Sequence, residues 1–287
     1  MSEAERLVVC ASHSPGMMRD VDQVFGRPFR AGLARVRGMV EEFDPDVVVL
    51  FGGDHRRTFR QVVPSFAVAL SAGVMAEGGR EPGELRVPAD RARELADHLL
   101  RSGFDITVCR DIELDHAFAQ PLHDLTAGLG AYPVIPVAIN CATAPLPRPE
   151  RVLEFGAEVG RFLDGIGDRV LVIGTGGLSH SPPSLEVDTY DMSDDDRARI
   201  IAAGYAAAEK KIRPEWDKSF LDALSSWDAA RLTELATVAH AQAGAGANEV
   251  RTWLAAGAAG GGKPFECIAY EPVEKWITGM GVAVSGR

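Results

Sequence analysis

Four of the seven histidines in this chain share one kind of position. His13 follows the apolar run Leu7–Cys10 in Cys-Ala-Ser-His-Ser-Pro, and His55 follows Val47–Phe51 in Phe-Gly-Gly-Asp-His. His116 comes after Ile106–Val108 and a short turn, in Leu-Asp-His-Ala-Phe, and His180 follows Val170–Ile173 in Gly-Gly-Leu-Ser-His-Ser-Pro-Pro. The other three, His98, His123 and His240, fall inside helical patterns and read as surface or packing residues. Neutral imidazole is both a metal ligand and a proton carrier near pH 7, so a convergent set would suit metal binding or acid–base work. Two histidines with one carboxylate and open coordination positions suit non-haem Fe(II). Asp54 beside His55 and Asp115 beside His116 are either ligands or partners that orient the rings.

Such convergence requires strands that end side by side. The runs Leu7–Cys10, Val47–Phe51, Phe66–Leu70, Ile106–Val108, Val134–Ile139 and Val170–Ile173 are β-branched and near-continuous, as expected of strands buried on both faces. Between them, Pro28–Phe43, Pro88–Leu100 and Arg151–Leu163 repeat apolar residues at helical spacing, with Gly103 closing the second. The expectation is an α/β fold, with a central, mostly parallel sheet covered by helices. In open sheets of this kind, ligands bind beyond the carboxyl ends of the strands. After residue 190, Asp194-Asp195-Asp196 opens an Ala-rich helix, and further helical patterns run through Leu224, Ala229–Ala239 and Asn248–Ala259. The carboxy-terminal third thus reads as helices packed on the sheet, with Asn248 as a candidate cap. Residues 1–287 read as a single catalytic domain, without a repeat or a long linker.

Composition narrows the function. The chain is 46% apolar and 25% charged, like an ordinary globular protein, and its net charge of −11 argues against nucleic acid or an anionic membrane as partner. No run approaches a membrane span, and the start lacks a basic leader, so a cytoplasmic protein is expected. Cys10, Cys109, Cys141 and Cys267 form no CxxC pair and read as reduced thiols. GxSxG, GxxxxGK[ST] and HExxH are missing. Gly174-Thr-Gly-Gly-Leu-Ser is a weak dinucleotide signal, because Ser179 stands where the third glycine belongs. Gly244-Ala-Gly-Ala-Asn reads as a flexible lead into a helix. Ser179 beside His180 leaves a serine hydrolase as a competing reading, although sequence neighbours seldom meet as nucleophile and base.

At these residues the sequence resembles the class III extradiol ring-cleaving dioxygenases, the family of protocatechuate 4,5-dioxygenase β subunits. The resemblance is carried by Ser12-His13-Ser14-Pro15, Asp54-His55, Asp115-His116-Ala117-Phe118-Ala119-Gln120-Pro121-Leu122 and Gly176-Gly177-Leu178-Ser179-His180-Ser181-Pro182-Pro183. Pro136–Asn140, Thr143–Pro147, Asn248-Glu249-Val250-Arg251-Thr252-Trp253 and Glu274–Gly279 extend it over most of the chain. It departs after Pro183, where this chain is shorter than the family's helical insertion, and at Arg56-Arg57. The resemblance implies His13, His55 and Glu249 as ligands of Fe(II), His180 as the base that deprotonates a catechol, and His116 as the acid. On its own, Glu249 would read as an ordinary first-turn acid. The implied substrates are O2 and a catechol, in the branch of the family that acts on catechols bearing a propionate or acrylate tail, such as 2,3-dihydroxyphenylpropionate. A homo-oligomer is expected. An anionic tail needs a local cation, for which Arg56 and Arg57 are the candidates, unless they are simply solvated on a loop. The alternative is a metal-dependent hydrolase or metal-binding protein on the same fold.

Overall fold

The computed structural model describes residues 5–77, 80–188 and 190–286. The strands are β1 (Arg6–Ala11), β2 (Val47–Gly53), β3 (Phe66–Ala69), β4 (Ala72–Val74), β5 (Gly83–Glu84), β6 (Thr107–Cys109), β7 (Ile112–Leu114), β8 (Val134–Ile139), β9 (Val170–Thr175), β10 (Glu266–Val273) and β11 (Thr278–Ser285). The helices are α1 (Pro15–Arg19), α2 (Arg27–Phe43), α3 (Ala89–Arg101), α4 (His116–Leu125), α5 (Pro149–Asp164), α6 (Pro183–Glu186), α7 (Asp194–Ala208), α8 (Pro214–Ser226), α9 (Ala229–Ala243) and α10 (Val250–Ala259).

One eight-stranded sheet runs β10-β11-β1-β9-β2-β8-β3-β6. Its centre, β1-β9-β2-β8, is parallel, with Val8 opposite Val172 and Val48 opposite both Leu171 and Val134. The continuous apolar runs are explained by cover on both sides. Val49 and Phe51 point toward Leu95 of α3, Phe155 of α5 and Trp253 of α10, while Val48 and Leu50 point toward Phe29 of α2 and Phe118 of α4. Fully burying one such side chain contributes roughly 1.5–3 kcal/mol. With two such layers, the fold needs no bound ion to hold it.

The edges depart from the parallel pattern. β3 runs antiparallel to β8, and β6 pairs only β3. After the helices end at Ala259, β10 and β11 form an antiparallel hairpin that joins β1 and completes the sheet. The sequence reading contained no such hairpin. β10 is half-exposed and contains Pro272, while β11 contains Gly279 and Gly281, residue types that weaken a strand signal. A second small sheet, β5-β4-β7, stands beside the main one. Among the described residues no helix is long and apolar enough to cross a membrane. Residues 1–4, part of the stretch read as lacking a leader, lie outside the described residues.

Two details aim the fold at one place. α10 lies directly on β9, because a side chain at Gly174 would come within 2.6 Å of the Thr252 carbonyl. Thr252 Oγ1 and Trp253 Nε1 then donate to the Thr175 and Gly176 carbonyls at 2.7 and 3.1 Å, fixing the amino end of α10 over the carboxyl end of β9.

One stability effect arises away from this place. Asp124, in the last turn of α4, sits near Arg80, Arg30 and Arg37, yet burial pushes its carboxyl up to about 6. A carboxyl raised in the fold favours the folded state at low pH and loses that contribution as pH rises through about 4 to 6. Asp124→Asn should therefore raise Tm more at pH 7.5 than at pH 4.5, by a few degrees at this chain size. Equal shifts at both values in thermal unfolding would show that Asp124 titrates normally.

Candidate metal centre and active site

His13 and His55 each stand two residues past the end of their strands, and His180 stands five past β9. Since β1, β9 and β2 are neighbours, the three rings meet. His116 arrives by another route. The strand Ile106–Val108, expected to deliver it, corresponds to β6 at the far edge of the main sheet. Its immediate support is β7 of the small sheet, three residues long and pairing β4. Asp115 then caps α4, accepting from the Ala117 amide at 2.9 Å, and His116 is the first helical residue.

Each of the four rings is held by its Nδ1. His13 Nδ1 lies 2.7 Å from Thr175 Oγ1 at the end of β9. His55 donates its Nδ1–H and its amide to Asp115 Oδ2 at 3.0 and 2.8 Å, so the carboxylate that caps α4 also orients a ring on β2's loop. His116 donates its amide and Nδ1–H to Glu77 Oε2 at 3.0 and 2.8 Å. His180 Nδ1–H donates to the Leu178 carbonyl at 2.9 Å. All four Nε2 atoms are left for the space between them. Asp54 orients no ring. It accepts from the Arg57, Thr58 and Phe59 amides and pins the loop after His55.

Glu249 enters this space from the 3-10 turn Ala245–Glu249, just before α10. Its Oε1 lies 3.0 Å from His55 Nε2, which is 3.4 Å from His13 Nε2. Its Oε2 accepts from the Gly177 amide at 2.7 Å and lies 3.6 Å from His180 Nε2. Atoms that share one ion at about 2.1 Å stand about 3 Å apart, so two imidazole nitrogens and a carboxylate oxygen fit a divalent metal here. His13, His55 and His116 also form a group whose ligand atoms lie within 4.8 Å of one another. His116 stacks on His55 with ring centroids 4.2 Å apart.

The electrostatics provide one neutral imidazole, one carboxylate and one ring that must give up a proton to bind a cation. Burial holds the His13 imidazole neutral, its pKa lowered to about 3. Burial would also depress His55, but Asp115 and Glu249 outweigh it and raise that ring. Burial would raise Glu249, yet His180 and His55 keep it ionised, well below the usual carboxylate range.

Asn248 does not cap α10 with its side chain. It donates to the Ala245 carbonyl and accepts from Arg251 at 2.9 Å. The glycines before it are closely packed, and Gly244 takes a φ of 99° that side-chain-bearing residues rarely adopt. The Gly246 amide donates to the His180 carbonyl at 3.1 Å, and a Cβ on Gly246 would fall 2.2 Å from His180 Nε2. The serine-hydrolase reading fails on geometry. Ser179 Oγ donates to Asp217 Oδ2 at 2.7 Å in the interior, while the His180 ring turns toward Glu249.

The rings line a cavity of about 270 Å³, walled further by Glu77, Pro182, Arg197, Tyr205 and Trp276. That volume suits a single small ring better than an extended chain. A wider depression of about 640 Å³, between Thr58–Val62 and Tyr190–Asp191, is open and touches none of the four histidines. Arg56 and Arg57 do not line the histidine cavity. Arg56 takes up a left-handed φ of 60° and donates to the Ala142 and Val187 carbonyls at 2.7 and 2.6 Å, and Arg57 pairs with Asp194 at 2.9 Å. The cations at the cavity wall are Arg19 and Arg197, neither of which the sequence reading named. Glu77 and Thr175 were missed as well. Glu77 carries no local signal, whereas Thr175 at the end of a buried strand is a polar residue that could have been noticed.

A doubly covered sheet whose strand ends gather histidines around a carboxylate from a 3-10 turn defines an α/β protein with a site able to hold a metal. Residues 7–282 match the family model described as the catalytic LigB subunit of aromatic ring-opening dioxygenase, and the chain belongs to that family. It is similar to a 2,3-dihydroxyphenylpropionate/2,3-dihydroxicinnamic acid 1,2-dioxygenase from Azotobacter vinelandii, 36% identical over 97% of this chain and 98% of the relative. A protein of the same name from Klebsiella pneumoniae is 36% identical over 95% and 96% of the two chains. One from Pseudomonas putida, whose name ends in 2, is 36% identical over 86% and 87%.

Proposed function

We propose that this chain is an Fe(II)-dependent extradiol dioxygenase that opens the ring of 2,3-dihydroxyphenylpropionate, or a related 3-substituted catechol, next to the diol. The observation that carries the reading is the approach of His13 Nε2, His55 Nε2 and Glu249 Oε1 beside two further histidines whose Nε2 atoms face the same cavity. The names of the relatives support the substrate class. His13, His55 and Glu249 would hold the metal. When bound, Fe(II) supplies the Lewis acidity that makes a diol hydroxyl acidic and the redox chemistry that uses O2.

The other steps belong to the chain's own residues. His180 Nε2, with its Nδ1–H committed to Leu178, accepts a proton from the diol. His116, its Nδ1–H committed to Glu77, is the second proton carrier, returning a proton from Nε2 as the ring opens. Pro182, Trp276 and Ile277 give the ring an apolar seat and exclude water. The 7–282 match supports one catalytic unit.

The test is anaerobic purification, loading with Fe(II), and addition of the catechol with O2. One O2 should be consumed per catechol, with the yellow absorbance of a ring-opened product. Iron binding with no oxygen uptake across a panel of catechols would instead leave a metal-binding protein or hydrolase.

The packing of Gly246 yields a sharper prediction. Gly246→Ala should keep its iron but push the His180 ring aside, and a displacement of about 1 Å can lower turnover about 10²-fold. In a His180→Ala background the same change should cost little more, because the ring it displaces is gone. Additive losses in kcat would separate Gly246 from His180.

A further inference from the structure

The shift of candidate cations from Arg56 and Arg57 to the cavity wall points to a specificity residue. α7 has only Ala208 buried, so it lies over the molecule as a cover. Arg197, Ile201 and Tyr205, each four residues apart and therefore on one helical face, line the histidine cavity. The helix is seated against α6, where a Cβ on Gly204 would fall 2.6 Å from Pro183. Arg197 is half-buried and donates from Nη2 to the His55 carbonyl at 2.8 Å, so its guanidinium sits beside a proposed metal ligand.

Arg197 also lines an adjoining cavity of about 90 Å³ with Arg56, Arg57 and Arg60, against the single carboxylate of Asp194, which pairs with Arg57. In a chain of net charge −11, this gathers positive charge at one end of the site. Arg19, the other cation at the wall, is exposed at the end of α1 and farther along the helix face, near Tyr205. A substituent next to a diol must lie beside the groups that hold the diol. That places its carboxylate within the reach of Arg197 before that of Arg19.

We propose that Arg197 receives the carboxylate of the substrate's side chain, and that the Arg197–Ile201–Tyr205 face of α7 sets the preference for an anionic substituent. This rests on the ring-cleavage reading above. A guanidinium can grip a carboxylate by two parallel hydrogen bonds, and a partly desolvated site strengthens them. A neutral tail would leave that cation facing an apolar group, which discriminates against it.

The experiment compares kcat/KM for 2,3-dihydroxyphenylpropionate and uncharged 3-propylcatechol in the iron-loaded full chain, with Arg197→Gln, Arg197→Lys and Arg19→Gln. Wild type should prefer the anion. Arg197→Gln should reduce the ratio about 10²-fold, mainly through KM, with Arg197→Lys in between. A second arm measures the affinity of 3-phenylpropionate, which has no diol to cleave, for the metal-free protein, and Arg197→Gln should weaken it to a similar extent. An unchanged ratio and unchanged affinity in Arg197→Gln, or a collapse of the ratio in Arg19→Gln instead, overturns the assignment. Absence of ring cleavage in wild type would defeat the proposed function, while the 3-phenylpropionate arm would still decide whether Arg197 binds the carboxylate.

Discussion

Glu249→Ala should lose stoichiometric iron and, with it, ring cleavage, while the chain stays folded. Changes to residues that merely orient metal ligands typically cost 10–100-fold in affinity or activity, so removing a ligand should cost more, about 10³-fold. The fold should survive because its two apolar layers pack through hydrophobic side chains and include none of the proposed metal ligands. The change is not free, since the buried Gly177 amide loses the acceptor it has at 2.7 Å. An unmet buried donor costs about 1–3 kcal/mol, so the metal-free variant should melt several degrees below the metal-free wild type. Adding Fe(II) should raise the Tm of wild type and leave that of the variant unmoved, because a ligand stabilises only the state that binds it. His116→Ala is the necessary companion, since His13, His55 and His116 also lie within ligand distance of one another. Iron lost with Glu249 and kept without His116 assigns the carboxylate set. The reverse result, read as iron per chain after gel filtration, assigns three histidines and removes Glu249 from the site.

Residues differ in how openly they announce such roles. β1, β2, β8 and β9 were legible because strands covered on both faces must be apolar throughout, and His13 and His55 break those runs at a fixed distance past their ends. The same logic failed for His116. β7 is only Ile112-Glu113-Leu114, too short to leave a pattern, and the ring reaches the site because Asp115 caps α4. Glu249 was named through family likeness. In the bare sequence it looks like any acid near a helix start, and its place among the histidines emerges once Gly174 brings α10 down onto β9. Arg56 and Arg57 are the opposite case. Adjacency to His55 made them attractive, but Arg56's backbone turns the chain and spends its guanidinium on carbonyls. Arg197 lies 142 positions from His55 and still donates to it. Such a contact is made by the packing of α7, and local spacing carries no trace of it.

His180→Ala and His116→Ala should both keep their iron and lose about 10²–10⁴-fold in kcat, the usual contribution of a positioned proton-transfer group. The two losses should differ in the step they interrupt. On anaerobic addition of the catechol to iron-loaded protein, the ultraviolet shift that marks catecholate formation should be lost in His180→Ala and kept in His116→Ala, because the base acts on the diol before O2 does and the acid only as the ring opens. The structure offers a control for His180. Asp217 accepts from both the amide and the hydroxyl of Ser179, at 2.6 and 2.7 Å, and so anchors the loop that presents the ring. Asp217→Asn should weaken that hold and lower kcat while catecholate still forms, because the ring itself is intact. If His180→Ala forms catecholate as the wild type does, the proton goes elsewhere. His116, whose ring stacks on His55 across the same cavity, would then be the group to carry both transfers.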